Sequence, residues 1–304
     1  MLFAPGSVTV LDGGLATELQ ARGHDLGDAL WSARLLADDP EAVVAAHEAF
    51  FRAGADVVTT ASYQASFAGF AARGVERDEV VRLLRRSVAL ADRARTTVGR
   101  GWVAASVGPY GASLADGSEY RGRYGRSVAE LAAWHRPRLD VLVDAGPDVL
   151  ALETVPDVDE ALALAAALAG SPVPAWLSYS VSGASTRAGQ PLPEAFAAVA
   201  DVPEIVAVGV NCCAPADVGP AIATARAVTG KPVVVYPNSG ERWDARRRRW
   251  AGPGGLRPAQ ARAWVAQGAA AVGGCCRVGP DQIAAVARAV SGGPPASAPR
   301  GACS

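Results

Sequence analysis

Segments with the composition of β-strands alternate with segments of helical periodicity along almost the whole sequence. The predicted strands, rich in β-branched and other apolar residues, are eight: residues 7–11, 55–60, 102–106, 148–152, 174–179, 205–210, 232–236 and 269–272. Helices are predicted between and after them, at residues 15–22, 41–52, 79–98, 128–145, 157–169, 193–200, 216–229, 258–267 and 280–290. Strands that alternate with helices form parallel sheets, and eight repeats match the strand count of a (β/α)8 barrel. We therefore predict an α/β fold, a TIM barrel, in a single domain.

An open, doubly wound parallel sheet is the alternative arrangement of the same elements. Its usual mark is a G-x-G-x-x-G turn after the first strand, and Asp12-Gly13-Gly14-Leu15 does not have that spacing. The glycine-rich stretch 108–125 follows a predicted strand, so we interpret it as an insertion and not as a hinge between domains. The predicted barrel domain covers residues 1–291, and residues 292–304, poor in apolar side chains, are predicted to form a flexible tail.

Composition and charge argue against several classes of partner. The 304 residues are 50% hydrophobic and carry a formal net charge of −1, so nothing favours binding to nucleic acid or to an anionic membrane. No apolar run approaches the roughly 20 residues of a membrane span. The first residues lack the basic and apolar regions of a signal peptide. We therefore expect a cytoplasmic protein in a reducing environment, whose five cysteines do not form a disulfide framework.

Polar residues are predicted at the C-terminal ends of the strands, where barrels of this type carry their active sites. They are Asp12, Thr59, Thr60, Ser106, Glu153, Ser178, Tyr179, Asn211, Cys212, Tyr236, Asn238, Cys275 and Cys276. This set contains no histidine, and we expect His24, His47 and His135 to be surface or packing residues because they fall in a loop or on helices. The pattern predicts a polar binding site above an apolar barrel.

Two cysteine pairs, Cys212-Cys213 and Cys275-Cys276, each follow a predicted strand. Three thiolates from two strands suit zinc, which favours sulfur ligands and keeps one open position in catalytic sites. Only one residue of the first pair can face the barrel mouth if its strand stays extended. Both residues of the second pair can turn inward if the chain bends sharply, which Gly273-Gly274 would permit. The alternatives are small buried core cysteines or, less compatible with a reducing cell, a vicinal disulfide.

The residues around these cysteines resemble the zinc signature of the homocysteine S-methyltransferase family. The signature lies in Gly209-Val210-Asn211-Cys212 and Gly273-Gly274-Cys275-Cys276. Two loops are similar to the branch of the family that uses S-methylmethionine or S-adenosylmethionine, namely residues 108–122 and 236–241. Three further stretches agree with the family as a whole, at residues 11–14, 53–66 and 152–154. The resemblance extends over essentially residues 7–290.

The resemblance implies a zinc-dependent transfer of a methyl group from a sulfonium donor to the thiol of homocysteine, which yields methionine. It implies that Cys212, Cys275 and Cys276 bind Zn²⁺, with Cys213 as a neighbouring core residue. Coordination would deprotonate the homocysteine thiol, whose free pKa is about 8.5. Because the sulfonium is already an activated methyl carrier, the reaction needs no general base.

Two strand-end carboxylates and two glycines are candidates for contacts with homocysteine. Asp12 and Glu153 could bind its ammonium group through charge-assisted hydrogen bonds. The backbone amides of Gly13 and Gly14 could bind its carboxylate.

Three other residues are predicted to act around the donor and the metal. Trp31 and Tyr63 are candidates for aromatic contact with the sulfonium, and Asn211 could orient the ligand loop.

Other members of the same superfamily provide the alternatives. Betaine-using relatives resemble this barrel but carry a longer C-terminal arm for dimerisation, so the short segment after the last predicted helix favours a sulfonium donor and a monomer. Methylcobalamin-dependent relatives need further domains for which 304 residues leave no room. A non-enzymatic, thiol-rich zinc or redox-responsive binding protein is the alternative of a different class.

Overall fold

The computed structural model describes residues 2–4, 6–26, 31–244, 249–252 and 254–291. The predicted tail, residues 292–304, lies outside the described residues, as do the side chains of residues 31–32 and 242–251. Within the described part, no helix combines the length and the apolar character needed to cross a membrane.

Eight parallel strands form the largest sheet. In chain order they are β1 (Thr9–Val10), β2 (Val57–Thr59), β3 (Trp102–Val107), β4 (Val149–Val155), β5 (Ala175–Tyr179), β6 (Ile205–Asn211), β7 (Val233–Tyr236) and β8 (Ala269–Val272). Successive strands pair in this order from β2 to β8, and β8 pairs with β1. A parallel bridge between Leu11 and Val57 joins the end of β1 to β2 and closes the sheet. The predicted (β/α)8 barrel is confirmed.

Helices connect the strands and cover the outside of the sheet. They are Leu15–Ala21, Leu35–Asp38, Pro40–Ala53, Phe67–Ala71, Arg77–Val98, Val128–Asp144, Val158–Leu168, Leu192–Ala197, Pro215–Thr229, Pro258–Ala266 and Pro280–Val290. Local sequence explains their limits, as the helix Pro40–Ala53 illustrates. Proline occupies its first turn, and Gly54 ends it with a left-handed φ of 106°.

Some elements differ from the sequence-based expectation. Strand β4 continues to Val155, so Glu153 lies inside the strand and not after it. The short helices at 35–38 and 67–71 were not predicted. The same holds for the 3-10 turns Trp31–Arg34, Tyr110–Leu114 and Ser118–Tyr120, and for the hairpins Val181–Ser182 with Ser185–Thr186 and Arg242–Asp244 with Arg249–Ala251. Segments this short lack the repeats from which periodicity is read.

Three aromatic side chains and many small ones fill the interior of the barrel. Trp176 on β5 is fully buried and packs edge-on against Phe3 and Tyr236, with ring centroids 6.2 and 6.3 Å away. Most other members of this inner cluster are small: Val57, Ala104, Val149, Ala151, Ala207, Val234 and Ala271. The indole N–H of Trp176 donates to the hydroxyl of Tyr236 at 2.9 Å, which ties the packed interior to the C-terminal end of the barrel.

Gly209 marks a very close approach between β6 and β7. A Cβ atom at this position would lie 1.7 Å from the carbonyl oxygen of Val234, so no larger residue fits unless the strands separate. This packing gives a structural reason for the glycine that precedes Val210-Asn211-Cys212.

Replacement of Gly209 by alanine should therefore destabilise the barrel by about 3 kcal/mol, the upper range for overpacking a core. The matched control is Gly279→Ala, because no atom lies within 4 Å of the added Cβ and the φ of −96° suits alanine. Urea unfolding followed by circular dichroism measures both variants. Equal stability of Gly209→Ala and the unchanged protein would show that the strands separate without cost.

Candidate active site

A cavity of about 320 Å³ opens at the C-terminal end of the barrel. Its lining contains twelve of the residues predicted for the site: Asp12, Gly13, Gly14, Thr59, Thr60, Tyr63, Ser106, Glu153, Cys212, Tyr236, Cys275 and Cys276. Asn211 is fully buried behind the lining. Trp31 begins a 3-10 turn, and its side chain lies outside the described part of the chain. The fold thus gathers most of the predicted residues in one place.

Three cysteine sulfur atoms meet at the wall of this cavity. The Sγ atoms of Cys212, Cys275 and Cys276 all lie within 4.8 Å of one another, and those of Cys212 and Cys276 are 4.0 Å apart. Cys212 and Cys275 are joined as a disulfide, which differs from the free thiolates expected in a reducing environment. Cys212 has a left-handed φ of 46°. Its neighbour Cys213 is buried in the apolar core, as expected.

The donor set and its spacing fit a zinc ion. With Zn–S bonds of about 2.3 Å, the sulfur ligands of a tetrahedral site lie about 3.8 Å apart, close to the separation of Cys212 and Cys276. Cys275 must release its bond to Cys212 before it can act as a third ligand. The disulfide therefore excludes a three-thiolate metal site on the same residues.

Gly273 and Gly274 position the second cysteine pair by close packing. A Cβ atom on Gly273 would lie 2.6 Å from the Cβ of Leu11, and one on Gly274 would lie 2.3 Å from Cγ1 of Val278. Neither glycine has a positive φ, whereas Arg277 does, at 64°. The structure gives the two glycines a further role, because the packing requires the space they leave.

Backbone hydrogen bonds fix the same segment on three sides. The amide of Gly274 donates to the carbonyl of Asp12 at 3.0 Å, and that of Cys275 donates to the carbonyl of Pro237 at 2.8 Å. The amide of Cys276 donates to Oδ1 of Asn238 at 3.1 Å. The sulfur positions are thus determined by the ends of β1 and β7 as well as by β8.

Asp12 is buried and bound to β2. Its Oδ2 accepts hydrogen bonds from the amide of Thr59 at 2.7 Å and from the hydroxyl of the same residue at 3.1 Å. Burial raises the pKa of Asp12 well above its usual range. The amide of Thr59 opposes this rise, and the charge of Glu153 adds to it.

Glu153 is the second buried carboxyl group of the cavity. It accepts a hydrogen bond from the hydroxyl of Ser106 and is also hydrogen-bonded to the hydroxyl of Tyr236. Burial nevertheless raises the pKa of Glu153 to about 7. Two carboxyl groups desolvated in this way gain free energy from a cationic ligand, since such a ligand favours their charged forms.

Asn211 holds a strained residue of β4. Its Oδ1 accepts from the amide of Thr154 at 2.7 Å, and its Nδ2 donates to the hydroxyl of the same residue at 2.8 Å. Thr154 has a φ of 61°, a conformation that β-branched residues rarely adopt. Because Asn211 directly precedes Cys212, this two-point contact also anchors the start of the cysteine loop.

Gly13 and Gly14 pack against the loop that carries the second cysteine pair. A Cβ atom on Gly13 would lie 2.2 Å from the carbonyl oxygen of Val278, and one on Gly14 would lie 2.7 Å from that of Cys275. The amide of Gly14 donates to the carbonyl of Val278 at 2.9 Å, so this amide is not available to a substrate. Of the two backbone amides predicted to bind the substrate carboxylate, only that of Gly13 remains a candidate.

Several lining residues were not among the predicted site residues, although Glu119, Tyr120, Thr154 and Gly274 lie in stretches that resemble the family. The lining residues that were not predicted are Leu15, Ala16, Thr17, Gln20, Glu119, Tyr120, Thr154, Gly274 and Arg277. Glu119 and Tyr120 belong to the insertion 108–125, whose side chains the strand and helix pattern cannot place. Conversely, Ser178 and Tyr179 were expected at the mouth but are fully buried in the core.

The histidines lie outside the described lining of the cavity, as expected. His47 and His135 are fully buried, and His24 is half-buried. Burial lowers the pKa of His47 to about 4, so this packing residue is neutral near pH 7.

The raised pKa of Glu153 predicts a pH-dependent loss of stability. Its pKa is about 7 in the folded state against 4.5 for an ordinary glutamate, so the folded state holds the proton more tightly. This contribution to stability is fully present below about pH 4.5 and is lost as the pH rises through 7. At about 1.4 kcal/mol per pKa unit, the loss is about 3 kcal/mol.

Urea unfolding at pH 5, 6, 7 and 8 tests this prediction when the protein is compared with Glu153→Gln. As the pH rises, the free energy of unfolding of Glu153→Gln should increase relative to that of the unchanged protein. The exposed carboxylate of Glu194 provides the control, Glu194→Gln. A difference that stays constant from pH 5 to pH 8 would contradict the assignment.

Comparison with known proteins identifies the family. The family model for homocysteine S-methyltransferase matches residues 9–290. Homocysteine S-methyltransferase 4 of Zea mays is 46% identical over 307 residues, covering 94% of this chain and 90% of the relative. The metallated form of the homocysteine methyltransferase MmuM from Escherichia coli superposes with a TM-score of 0.84 at 43% identity, covering 93% of this chain and 96% of that one. Its oxidized form gives 0.83 at 43% identity, covering 92% and 94%. The chain therefore belongs to the homocysteine S-methyltransferase family.

Proposed function

We propose that this homocysteine S-methyltransferase takes its methyl group from a sulfonium, with S-methylmethionine as the preferred donor and S-adenosylmethionine as the second. We further propose that homocysteine binds through zinc held by Cys212, Cys275 and Cys276. The observation that carries the proposal is the convergence of three sulfur atoms within 4.8 Å at the wall of a cavity that also contains Asp12 and Glu153. The Escherichia coli relative has a metallated and an oxidized form, which supports a metal-bound and an oxidized form of this protein as well.

The chemistry that zinc supplies when bound is an open fourth position at which a thiol loses its proton near neutral pH. The protein's own residues orient the acceptor. Asp12 and Glu153 bind the ammonium group of homocysteine, and the amide of Gly13 binds its carboxylate. Asn211 keeps the start of the cysteine loop in place through its contact with Thr154.

The transfer itself requires no proton acceptor. The thiolate sulfur of homocysteine forms a bond to the methyl carbon while the bond from that carbon to the donor sulfur breaks. The donor leaves as a neutral thioether, so the positive charge of the sulfonium and the negative charge of the thiolate cancel. A cavity whose described lining contains no histidine suits this reaction.

Aromatic faces are suited to the sulfonium. Tyr63 lines the cavity, and burial raises the pKa of its phenol well above the usual range, so the ring stays uncharged. Trp31 is proposed for the same role from the sequence. We also propose that the protein acts as a cytoplasmic monomer in methionine biosynthesis. Membership of an enzyme family sets aside the alternative of a non-catalytic zinc or redox-responsive protein.

A donor competition tests the choice of methyl donor. Zinc-loaded protein with homocysteine deuterated along its carbon chain is offered S-methylmethionine, S-adenosylmethionine and betaine separately. Mass spectrometry should detect deuterated methionine with S-methylmethionine, and at a lower rate with S-adenosylmethionine. Methionine formed from betaine alone would overturn the proposed donor class.

A pair of cysteine variants tests the metal site. Cys275→Ala removes one of the three sulfur atoms, so zinc content and methyl transfer should fall together, with at least about a tenfold loss of metal affinity. Cys213→Ala removes the neighbouring buried thiol and should keep both properties, at a modest cost in stability. Metal analysis and turnover are measured on the same preparations. Full methyl transfer by Cys275→Ala would rule out the zinc-thiolate site.

A further inference from the structure

The loop between β3 and the helix Val128–Asp144 supplies part of the cavity wall. Its second 3-10 turn, Ser118–Tyr120, brings Glu119 and Tyr120 into the lining. The hydroxyl of Tyr120 is hydrogen-bonded to the thiol of Cys276, so this turn lies against the sulfur cluster. Glu119 is therefore close to the place at which the acceptor sulfur would be bound.

Tight packing fixes the backbone of this turn. A Cβ atom on Gly111 would lie 2.6 Å from the backbone nitrogen of Glu119, so the two 3-10 turns of the loop touch without a gap. Oδ1 of Asp116 accepts from the amide of Ser118 at 2.9 Å. The side-chain amide of Gln64 donates to the carbonyl of Ala112 at 3.1 Å, which joins the first turn to the segment after β2. The position of Glu119 is thus set before any ligand binds.

The carboxylate of Glu119 has an oxygen without a partner. Its Oε2 is buried and accepts no hydrogen bond from any described residue, whereas Asp12 and Glu153 each have an amide or hydroxyl donor. Desolvation raises the pKa of Glu119, and the charge of Asp116 adds to the rise. A buried acceptor that lacks a partner costs free energy. A positively charged ligand beside Oε2 would remove that cost.

The described lining contains a single basic residue, Arg277, and it is engaged elsewhere. Its guanidinium donates two hydrogen bonds to Glu241, one of them from Nη2 to Oε1 at 2.9 Å. The homocysteine ammonium is assigned to Asp12 and Glu153. The methyl donor therefore supplies the positive charge that remains to pair with the carboxylate of Glu119.

We propose that Glu119 is the counter-charge for the positively charged sulfur of the methyl donor, and that it selects sulfonium ligands over neutral thioethers. The inference rests on the proposed function, because it concerns the donor of the same reaction. It assigns a specificity-determining role to a residue of the insertion 108–125, which is neither a metal ligand nor a contact of homocysteine.

The charge balance of the reaction predicts which kinetic constant Glu119 controls. The donor sulfur is fully positive in the bound donor, loses charge as its bond to the methyl carbon breaks, and is neutral in the departing thioether. A fixed carboxylate therefore stabilises the bound donor more than the transition state, and does not retain the neutral product. Such an interaction lowers the KM for the donor and does not raise kcat, so its removal should raise this KM without lowering kcat.

Steady-state kinetics of Glu119→Gln test the proposal. The KM for S-methylmethionine should rise about tenfold, as expected for the loss of one partly buried charge pair. The KM for homocysteine and the zinc content should stay at the values of the unchanged protein, and the thermal unfolding midpoint should not fall, because the variant removes a desolvated charge. Glu119→Asp keeps the negative charge on a side chain that is one methylene group shorter. Its KM for S-methylmethionine should therefore lie between those of the unchanged protein and of Glu119→Gln.

Asp116→Asn is the matched control. It removes the same charge from the same loop, keeps an acceptor for the amide of Ser118 and does not line the cavity. Its KM for S-methylmethionine should stay unchanged. If Asp116→Asn raises this KM as much as Glu119→Gln does, the effect is one of general loop charge and the proposal is wrong. An unchanged KM in Glu119→Gln would refute it directly.

A ligand without an ammonium group separates the two cationic ends of the donor. 3-Dimethylsulfoniopropionate keeps the sulfonium and the carboxylate, and its inhibition of methyl transfer should weaken about tenfold in Glu119→Gln. Equal inhibition of both proteins would assign Glu119 to the donor's ammonium and overturn the sulfonium assignment. If the unchanged protein makes no methionine from any sulfonium, the proposed function itself fails, which is a different result from an unaltered KM in the variant.

Discussion

The contact between the ends of β8 and β1 assembles the site, and it depends on two residues without side chains. The amide of Gly273 donates to the carbonyl of Val235, and the amide of Gly274 donates to that of Asp12, both at 3.0 Å. There is no room for a Cβ atom at either glycine. Because the chain continues directly into Cys275, the hydrogen bonds that hold the end of β8 against β7 and β1 also place the sulfur atoms in the cavity with Asp12.

The cavity contains three carboxyl groups, and the fold compensates their burial to different degrees. Asp12 has the amide and hydroxyl of Thr59, and Glu153 has hydroxyl groups, whereas Oε2 of Glu119 has no partner among the described residues. Desolvation raises the pKa of all three. Burial of these three carboxyl groups costs free energy while the cavity is empty, and it makes the cavity wall complementary to cationic ligands. The proposed substrates bring an ammonium and a sulfonium, and binding of both would recover the electrostatic cost incurred in folding.

The sequence predicted the parts of this arrangement that depend on periodicity and on strand ends. Eight strand–helix repeats define the barrel, and its C-terminal ends then collect Asp12, Glu153 and the cysteines. Roles that depend on distances across the fold could not be obtained in this way. The role of Gly273-Gly274 was assigned to backbone freedom because the sequence does not show that Leu11 and Val278 occupy the space beside them. Likewise, Glu119 lies in an insertion without a repeating pattern, so only the folded loop reveals that it faces the sulfur cluster.

The position of that loop depends in turn on a buried polar network between two outer helices, 128–144 and 158–168. Nη2 of Arg138 donates to Nδ1 of His135 at 2.7 Å, so the proton of the neutral imidazole is on Nε2, which lies 3.0 Å from Oε1 of Glu160. The same Oε1 accepts the amide of Tyr110, and Arg138 also donates to the carbonyl of Gly108. Apolar residues in place of the three side chains could fill the space between the helices, but they would leave these two backbone groups without partners. His135, expected from the sequence to be a packing residue, therefore helps to hold Gly108 and Tyr110, from which the chain runs to Glu119.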